Sequence, residues 1–196
     1  MIILGLTGSI GMGKSTTAAY FREYGVPVWD ADATVHKLYA NGGDAVEPIA
    51  RLCPEAVRNG AVDRATLRDW LSSRPDALKT LEEIVHPLVQ QDRQTFIEQH
   101  RKEGTPLVVL DIPLLFETGA DAQCDATLVV TADSAEQRRR VLARPGMTEA
   151  DFERMNARQM PDAEKRSRAS HVIETRTKPQ VRAEIAALIS ELTVKQ

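Results

Sequence analysis

"GLTGSIGMGKSTTAAYF", residues 5–21, gathers Gly8, Gly11 and Gly13 in front of Lys14 and three hydroxyl residues, Ser15, Thr16 and Thr17. Glycine raises the entropic cost of folding and packs nothing, so such a cluster marks backbone that must bend sharply or approach something closely. The span Gly8-Ser9-Ile10-Gly11-Met12-Gly13-Lys14-Ser15 fits the pattern G-x-x-x-x-G-K-[ST] without a mismatch. A loop of this form turns successive backbone N–H groups around the phosphates of a nucleotide. Lys14 then reaches the β- and γ-phosphates, and the Ser15 hydroxyl is placed to bind magnesium. The apolar run at 1–6 suits a buried parallel strand, and "KSTTAAYFREYG" suits a helix stopped by Gly25. Strand, glycine loop and helix stand in the required order, and the helix adds its positive dipole end.

The chain of 196 residues suits one domain with room for an inserted subdomain. At 42% hydrophobic and 27% charged residues it reads as soluble and globular, and a net charge of −3 provides no global attraction for nucleic acid or an anionic membrane. The first apolar run is short and leads straight into the glycine loop, so it is expected to be a strand and not a signal peptide. No stretch approaches membrane-spanning length. Cys53 and Cys124 are far apart and lack any metal-ligand spacing, which predicts reduced thiols in a cytoplasm.

Beyond the first helix, "VPVWD" (26–30) reads as a short strand ending in a carboxylate. Helical spacing follows at 31–41, 44–53, 64–72 and 76–102, with turn signals "NGG", "RNG" and "RP" between. Strands are predicted at 106–111, 126–130 and 171–174, and helices at 134–143 and 179–192. Short apolar strands alternating with helices imply a parallel sheet covered on both faces, with the ligand site beyond the strands' carboxyl ends. That rule gathers Gly8, Asp30, Asp111 and the segment after Val130 around one crevice.

Asp30 and Asp32 in "WDADATVH" are both candidates for that crevice. Phosphoryl transfer needs one carboxylate to orient or deprotonate the attacking hydroxyl and another to serve magnesium, while a helix starting near Ala33 needs an N-cap. His36 follows Asp32 by one helical turn and would share its face, as a substrate contact or a surface residue. His86-Pro87 falls inside the longest helical stretch, where a proline should kink or restart the helix. "LVVLDIPLLFE" (107–117) delivers Asp111 to the crevice, and Pro113 and Phe116 could wall a substrate or form a buried turn. Arginines 138, 139, 140, 144, 154, 158, 166 and 168 fit a solvated face, or a lid bringing guanidinium groups to the transferring phosphoryl group. Glu149, Asp151, Glu153, Asp162 and Glu164 interleave with them, which argues against a nucleic-acid track. The absence of N-K-x-D argues against a guanine-nucleotide switch.

Taken together, "LTGSIGMGKST", "VWDADATVH", "HPLV" (86–89), "DIPLLFE" and Arg154-x-x-x-x-Gln159 with Lys165 resemble the dephospho-coenzyme A kinase family over almost the whole chain. The resemblance implies an α/β, three-layer P-loop fold with a five-stranded parallel sheet in the order 2-3-1-4-5. It divides the chain into a core of 1–32, 104–135 and 169–196, a helical dephospho-CoA-binding insertion at 33–103 and a lid at 136–168. It further implies transfer of the γ-phosphoryl group of ATP to the ribose 3′-hydroxyl of dephospho-CoA, with ATP and magnesium as cofactors; for the chain itself a monomer is expected, with an oligomer left open. Asp32 would be the general base, with Lys14 and Arg144 acting on the transferring group. Residues Gly8 to Thr16, Arg138 and Thr175 would hold ATP, and Ser15 and Asp111 magnesium. Thr7, Asp32, His36, His86, Pro113, Leu114, Phe116 and Glu117 would meet dephospho-CoA. One position departs from the family: where an asparagine usually lies near the adenine, this chain has Thr175, which is shorter and lacks the amide's donor and acceptor pair.

Overall fold

In the computed structural model, which describes residues 1–194, the chain divides into two compact units. One combines Met1–Trp29 with His100–Gln196; the other is Asp30–Gln99. The last two residues of the expected 169–196 core segment, Lys195 and Gln196, lie outside the described residues.

The larger unit is organised by the short apolar strands. In chain order the sheet strands are β1 (Ile2–Thr7), β2 (Val28–Asp30), β5 (Leu107–Asp111), β6 (Ala126–Thr131) and β7 (His171–Glu174), with β3 and β4 lying in the other unit. The sheet order is β2-β5-β1-β6-β7, so that, numbering these strands alone along the chain, the order is the expected 2-3-1-4-5. β1 runs parallel to both β5 and β6, and β6 parallel to β7. Leu4, Leu6, Val108, Val109, Leu110, Leu128, Val129 and Val130 are all wholly buried. Because successive residues point to opposite faces, both faces of the central strands are covered, as a parallel sheet requires. Against one face pack α1 (Lys14–Glu23) and α9 (Lys178–Val194), through Ala18, Phe21, Val181, Ile185 and Leu188. The segment 136–168 falls in this same unit and carries most of α6 (Ser134–Leu142) and all of α7 (Glu149–Ala157) and α8 (Asp162–Arg168).

The helical unit holds α2 (Ala31–Tyr39), α3 (Val46–Leu52), α4 (Arg64–Ser72) and most of α5 (Pro75–Lys102), closed around Leu38, Ile49, Cys53, Leu67, Leu81 and Val85. Two features differ from the sequence reading. "RNG" is more than a break between helices: it closes a hairpin of β3 (Val57–Arg58) and β4 (Ala61–Val62), with Asn59 at φ 51 and Gly60 at φ 75. Positive φ at both central residues matches the twist of paired strands. At Pro87, of the kink or restart expected there, the restart does not occur: α5 runs through the proline. Pro87 is exposed, so the carbonyl its missing N–H leaves unpaired faces solvent.

Candidate active site

The glycine loop sits where β1 ends and α1 begins. A Cβ on Gly8 would lie 2.7 Å from both Val130 Cγ2 and Val130 O, so only glycine lets the loop close on the end of β6. Gly13 caps α1 in the left-handed region at φ 92, with no side-chain cap bond. The first intrahelical bond is Thr17 N–H to Gly13 O at 3.1 Å, which leaves the N–H groups of the preceding turn for a ligand. Combined with the helix dipole, that makes an anion cradle.

Beside the loop, Leu6 pairs in register with Asp111, and Lys14 Nζ reaches Asp111 Oδ1 at 2.6 Å. The lysine side chain is 16% exposed and the aspartate 2%, so this ion pair is shielded from water. The Ser15 and Thr16 side chains, by contrast, are exposed. Of the residues expected around one crevice, the structure thus brings together Gly8, Asp111 and Val130, with Lys14 beside them. A hydroxyl and a carboxylate are hard oxygen donors of the kind magnesium takes. Among the described residues no cluster of three or more His, Cys, Asp or Glu could hold a metal.

After β5 the chain turns under α8. Thr7 Oγ1 donates to Pro113 O at 3.0 Å, fixing that turn to the end of β1. Leu114 is exposed, whereas Phe116 is buried and lies under the Arg168 guanidinium, 4.7 Å from its ring centre. Lys165, wholly buried, meets Glu117 Oε1 at 2.8 Å, and Met160 N–H donates to the same oxygen at 2.8 Å. Burial pushes the Glu117 carboxyl up, but Lys165 and the Met160 N–H together outweigh it and hold it below the ordinary carboxylate range.

The arginines of 136–168 are largely engaged with the interleaved acids. Arg138 is bidentate on Glu149, with both contacts at 2.7 Å, and Arg166 pairs with Asp162. Arg139 and Arg140 share Glu136, and their hydrogen bonds, that of Arg139 first, hold its carboxyl down at about 2. Arg144 is exposed. Sequence reasoning did not separate Arg140 from its neighbours, yet Arg140 is the one that reaches the loop: it donates to Thr175 Oγ1 at 2.8 Å and Thr175 O at 2.6 Å, and approaches Gly11 O at 3.4 Å. Thr175 is 7% exposed. Together with Gly13, Thr17, Tyr20, Glu136 and Lys178, these residues line a cavity of about 310 Å³ directly behind the loop.

In the helical unit, Asp30 is spent on local structure: its Oδ1 accepts from Ala33 N–H at 2.9 Å and caps α2. Asp32 lies exposed in the first turn, and His36 is exposed one turn later. His36 Nε2 lies 2.7 Å from Arg64 Nη1, a cation that the sequence did not single out. His86 is exposed on α5.

Known proteins resemble this chain over nearly its whole length. The family model described as dephospho-CoA kinase matches residues 2–185. The chain is 62% identical over 190 residues to the dephospho-CoA kinase of Jannaschia sp., covering 97% of this chain and 96% of that one. It is 59% identical over 189 residues to that of Cereibacter sphaeroides, covering 96% and 94%. A crystal structure from Thermus thermophilus, 41% identical, superposes with a TM-score of 0.83 over 98% of each chain. With a phosphate loop closed by Gly8, a lysine and a strand-end aspartate paired beside it, and identity of this order over nearly its full length, the chain belongs to the dephospho-CoA kinase family.

Proposed function

We propose that the protein transfers the γ-phosphoryl group of ATP to the ribose 3′-hydroxyl of dephospho-CoA, giving coenzyme A and ADP, the last step of coenzyme A synthesis. The observation that carries this reading is the phosphate loop with Lys14 and Asp111 at adjacent strand ends, in a chain of this family. Catalysis of such a transfer is mostly positioning and electrostatics. Loop N–H groups between Gly8 and Thr16 hold the phosphates, apart from those of Ile10 and Met12, which donate to Gln159 Oε1 and Ser9 O, and Lys14 leaves Asp111 to neutralise charge on the transferring group. Ser15 and Asp111 would hold magnesium, which supplies further charge neutralisation at the phosphates.

Asp32 accepts the proton of the attacking hydroxyl. Supporting this choice, Asp30 is committed to capping α2 while Asp32 stays exposed in the first helical turn. Arg144 and Arg138 act from a lid at 136–168 that excludes water, because hydrolysis of ATP competes with transfer. The helical insertion at 33–103 holds dephospho-CoA, with His36 and His86 among its contacts, and Thr7, Pro113, Leu114, Phe116 and Glu117 also meet the substrate. Thr175 borders the adenine end of the nucleotide site. The enzyme works as a monomer in a reducing cytoplasm, consistent with two free cysteines and with no helix among the described residues long and apolar enough to cross a membrane.

The test is ADP release from ATP and magnesium with no acceptor, dephospho-CoA, adenosine or AMP, with the product weighed by mass spectrometry. Stimulation by dephospho-CoA alone, with a product heavier by one phosphoryl group, is expected. Stimulation by adenosine or AMP instead, or slow hydrolysis alone, would overturn the substrate assignment.

A further inference from the structure

A loop that turns its N–H groups toward phosphates must turn its carbonyl groups away, and those carbonyls need partners of their own. Here three consecutive loop carbonyls meet side chains from distant parts of the chain. Gln137 Nε2 donates to Ile10 O at 2.9 Å, Arg140 Nη1 lies 3.4 Å from Gly11 O, and Thr175 Oγ1 donates to Met12 O at 2.9 Å. The Thr175 hydroxyl also lies 3.1 Å from Thr131 O. That carbonyl already accepts the Thr175 N–H at 2.8 Å, so the single hydroxyl proton is better used on Met12.

Two of these side chains, Arg140 and Thr175, brace one another. Arg140 donates to both oxygens of Thr175 and is held in turn by Glu136, whose Oε1 accepts from Arg140 Nε at 2.7 Å. Gln137 and Arg140 stand three residues apart on α6 and so share a face. Gln137 and Thr175 are only 6% and 7% exposed, so their hydrogen bonds are not exchanged with water. Ile10 is fixed at its other polar atom too, its N–H donating to Gln159 Oε1 at 2.9 Å.

We propose that Gln137, Arg140 and Thr175 are positioning residues that hold the carbonyls of Ile10, Gly11 and Met12 outward, so that the loop is preset for nucleotide phosphates before any ligand arrives. This rests on the reading of residues 8–15 as the phosphate site. A preset loop gives up less conformational freedom on binding, so the three side chains act on nucleotide affinity and not on the chemical step.

The test uses the full chain and ADP as the probe. Thr175→Val keeps the shape and removes the hydroxyl, Thr175→Ser restores the hydroxyl without the methyl, and Gln137→Met keeps the length without the amide. Each is measured for ADP affinity by calorimetry, for melting temperature without ligand, and for kcat and the KM of ATP. Losing one such bond is expected to weaken ADP binding roughly 5- to 10-fold in Thr175→Val and in Gln137→Met. In Gln137→Met, a residue outside the nucleotide contacts, the KM of ATP should rise by a similar factor while kcat holds, and Thr175→Ser should bind ADP close to wild type. A lower melting temperature with unchanged affinity would make the residues structural props and overturn the proposal. So would a Thr175→Ser variant as weak as Thr175→Val, which would trace the loss to the methyl group. Should Thr175→Val not fold, Gln137→Met decides the same question. Wild-type protein that binds no ADP would instead overturn the phosphate-site reading itself, a separate result.

Discussion

Replacing Lys14 by Ala removes the ammonium group nearest the strand-end aspartate, and with it charge stabilisation of the transferring phosphoryl group. Turnover is expected to fall at least about 100-fold, measured as coenzyme A formed at saturating substrates; full activity in this variant would sink the phosphate-loop assignment. Asp32→Asn should fail differently. Loss of a general base is expected to lower kcat about 100- to 10,000-fold with the KM of dephospho-CoA little changed. A change confined to KM would make Asp32 a binding residue and send the search for the base elsewhere. At this scale the loop was legible because its eight pattern positions are contiguous and each has a local chemical reason. Arg140 and Gln137 were not. Their partners Gly11 and Ile10 lie 129 and 127 residues away, and within a run of arginines nothing local says which one turns inward.

Among the elements, α8 is tied down by one buried cation. Lys165→Met would strip the Glu117 carboxylate of its charge partner and is expected to cost about 3 kcal/mol, seen as a clear drop in melting temperature. The double variant with Glu117→Gln should recover part of that loss, since no buried charge is then left unpaired. Glu117 also sets a pH dependence. Its folded carboxyl is held below the ordinary value of 4.5, so the stabilisation is fully present above that value and drains away as pH falls below it. The melting-temperature gap between wild type and Glu117→Gln should therefore be widest near neutrality and close in acid. In α5, Pro87 removes an intrahelical hydrogen bond while its ring stays exposed. Pro87→Ala should restore that bond and raise stability by roughly 1 to 3 kcal/mol; a fall in melting temperature would mean the proline is needed for the shape of the helix. Strands and long helices were legible from their periodicity. The β3–β4 hairpin was not, because two-residue strands show no period, and only Asn59-Gly60 marked it.

Across the whole molecule, each unit carries its own core, Leu4, Phe21 and Ile185 in one and Ile49, Leu67 and Val85 in the other. Because only dephospho-CoA is proposed to contact the helical insertion, the effects of the two ligands on amide hydrogen exchange should separate there. ADP is expected to slow exchange at residues 8–16 and around Gln137, and dephospho-CoA chiefly within residues 30–99; protection of the same segments by both ligands would contradict that division. What the sequence determined unaided was the class of fold and the phosphate loop, since alternating apolar runs and a contiguous glycine pattern act through neighbours along the chain. Only the tertiary structure decided which carboxylate caps α2, which arginine braces the loop, and where Lys165 is buried. Those choices depend on hydrogen bonds and desolvation, whose strength is settled only when the chain has brought the partners into one dry place.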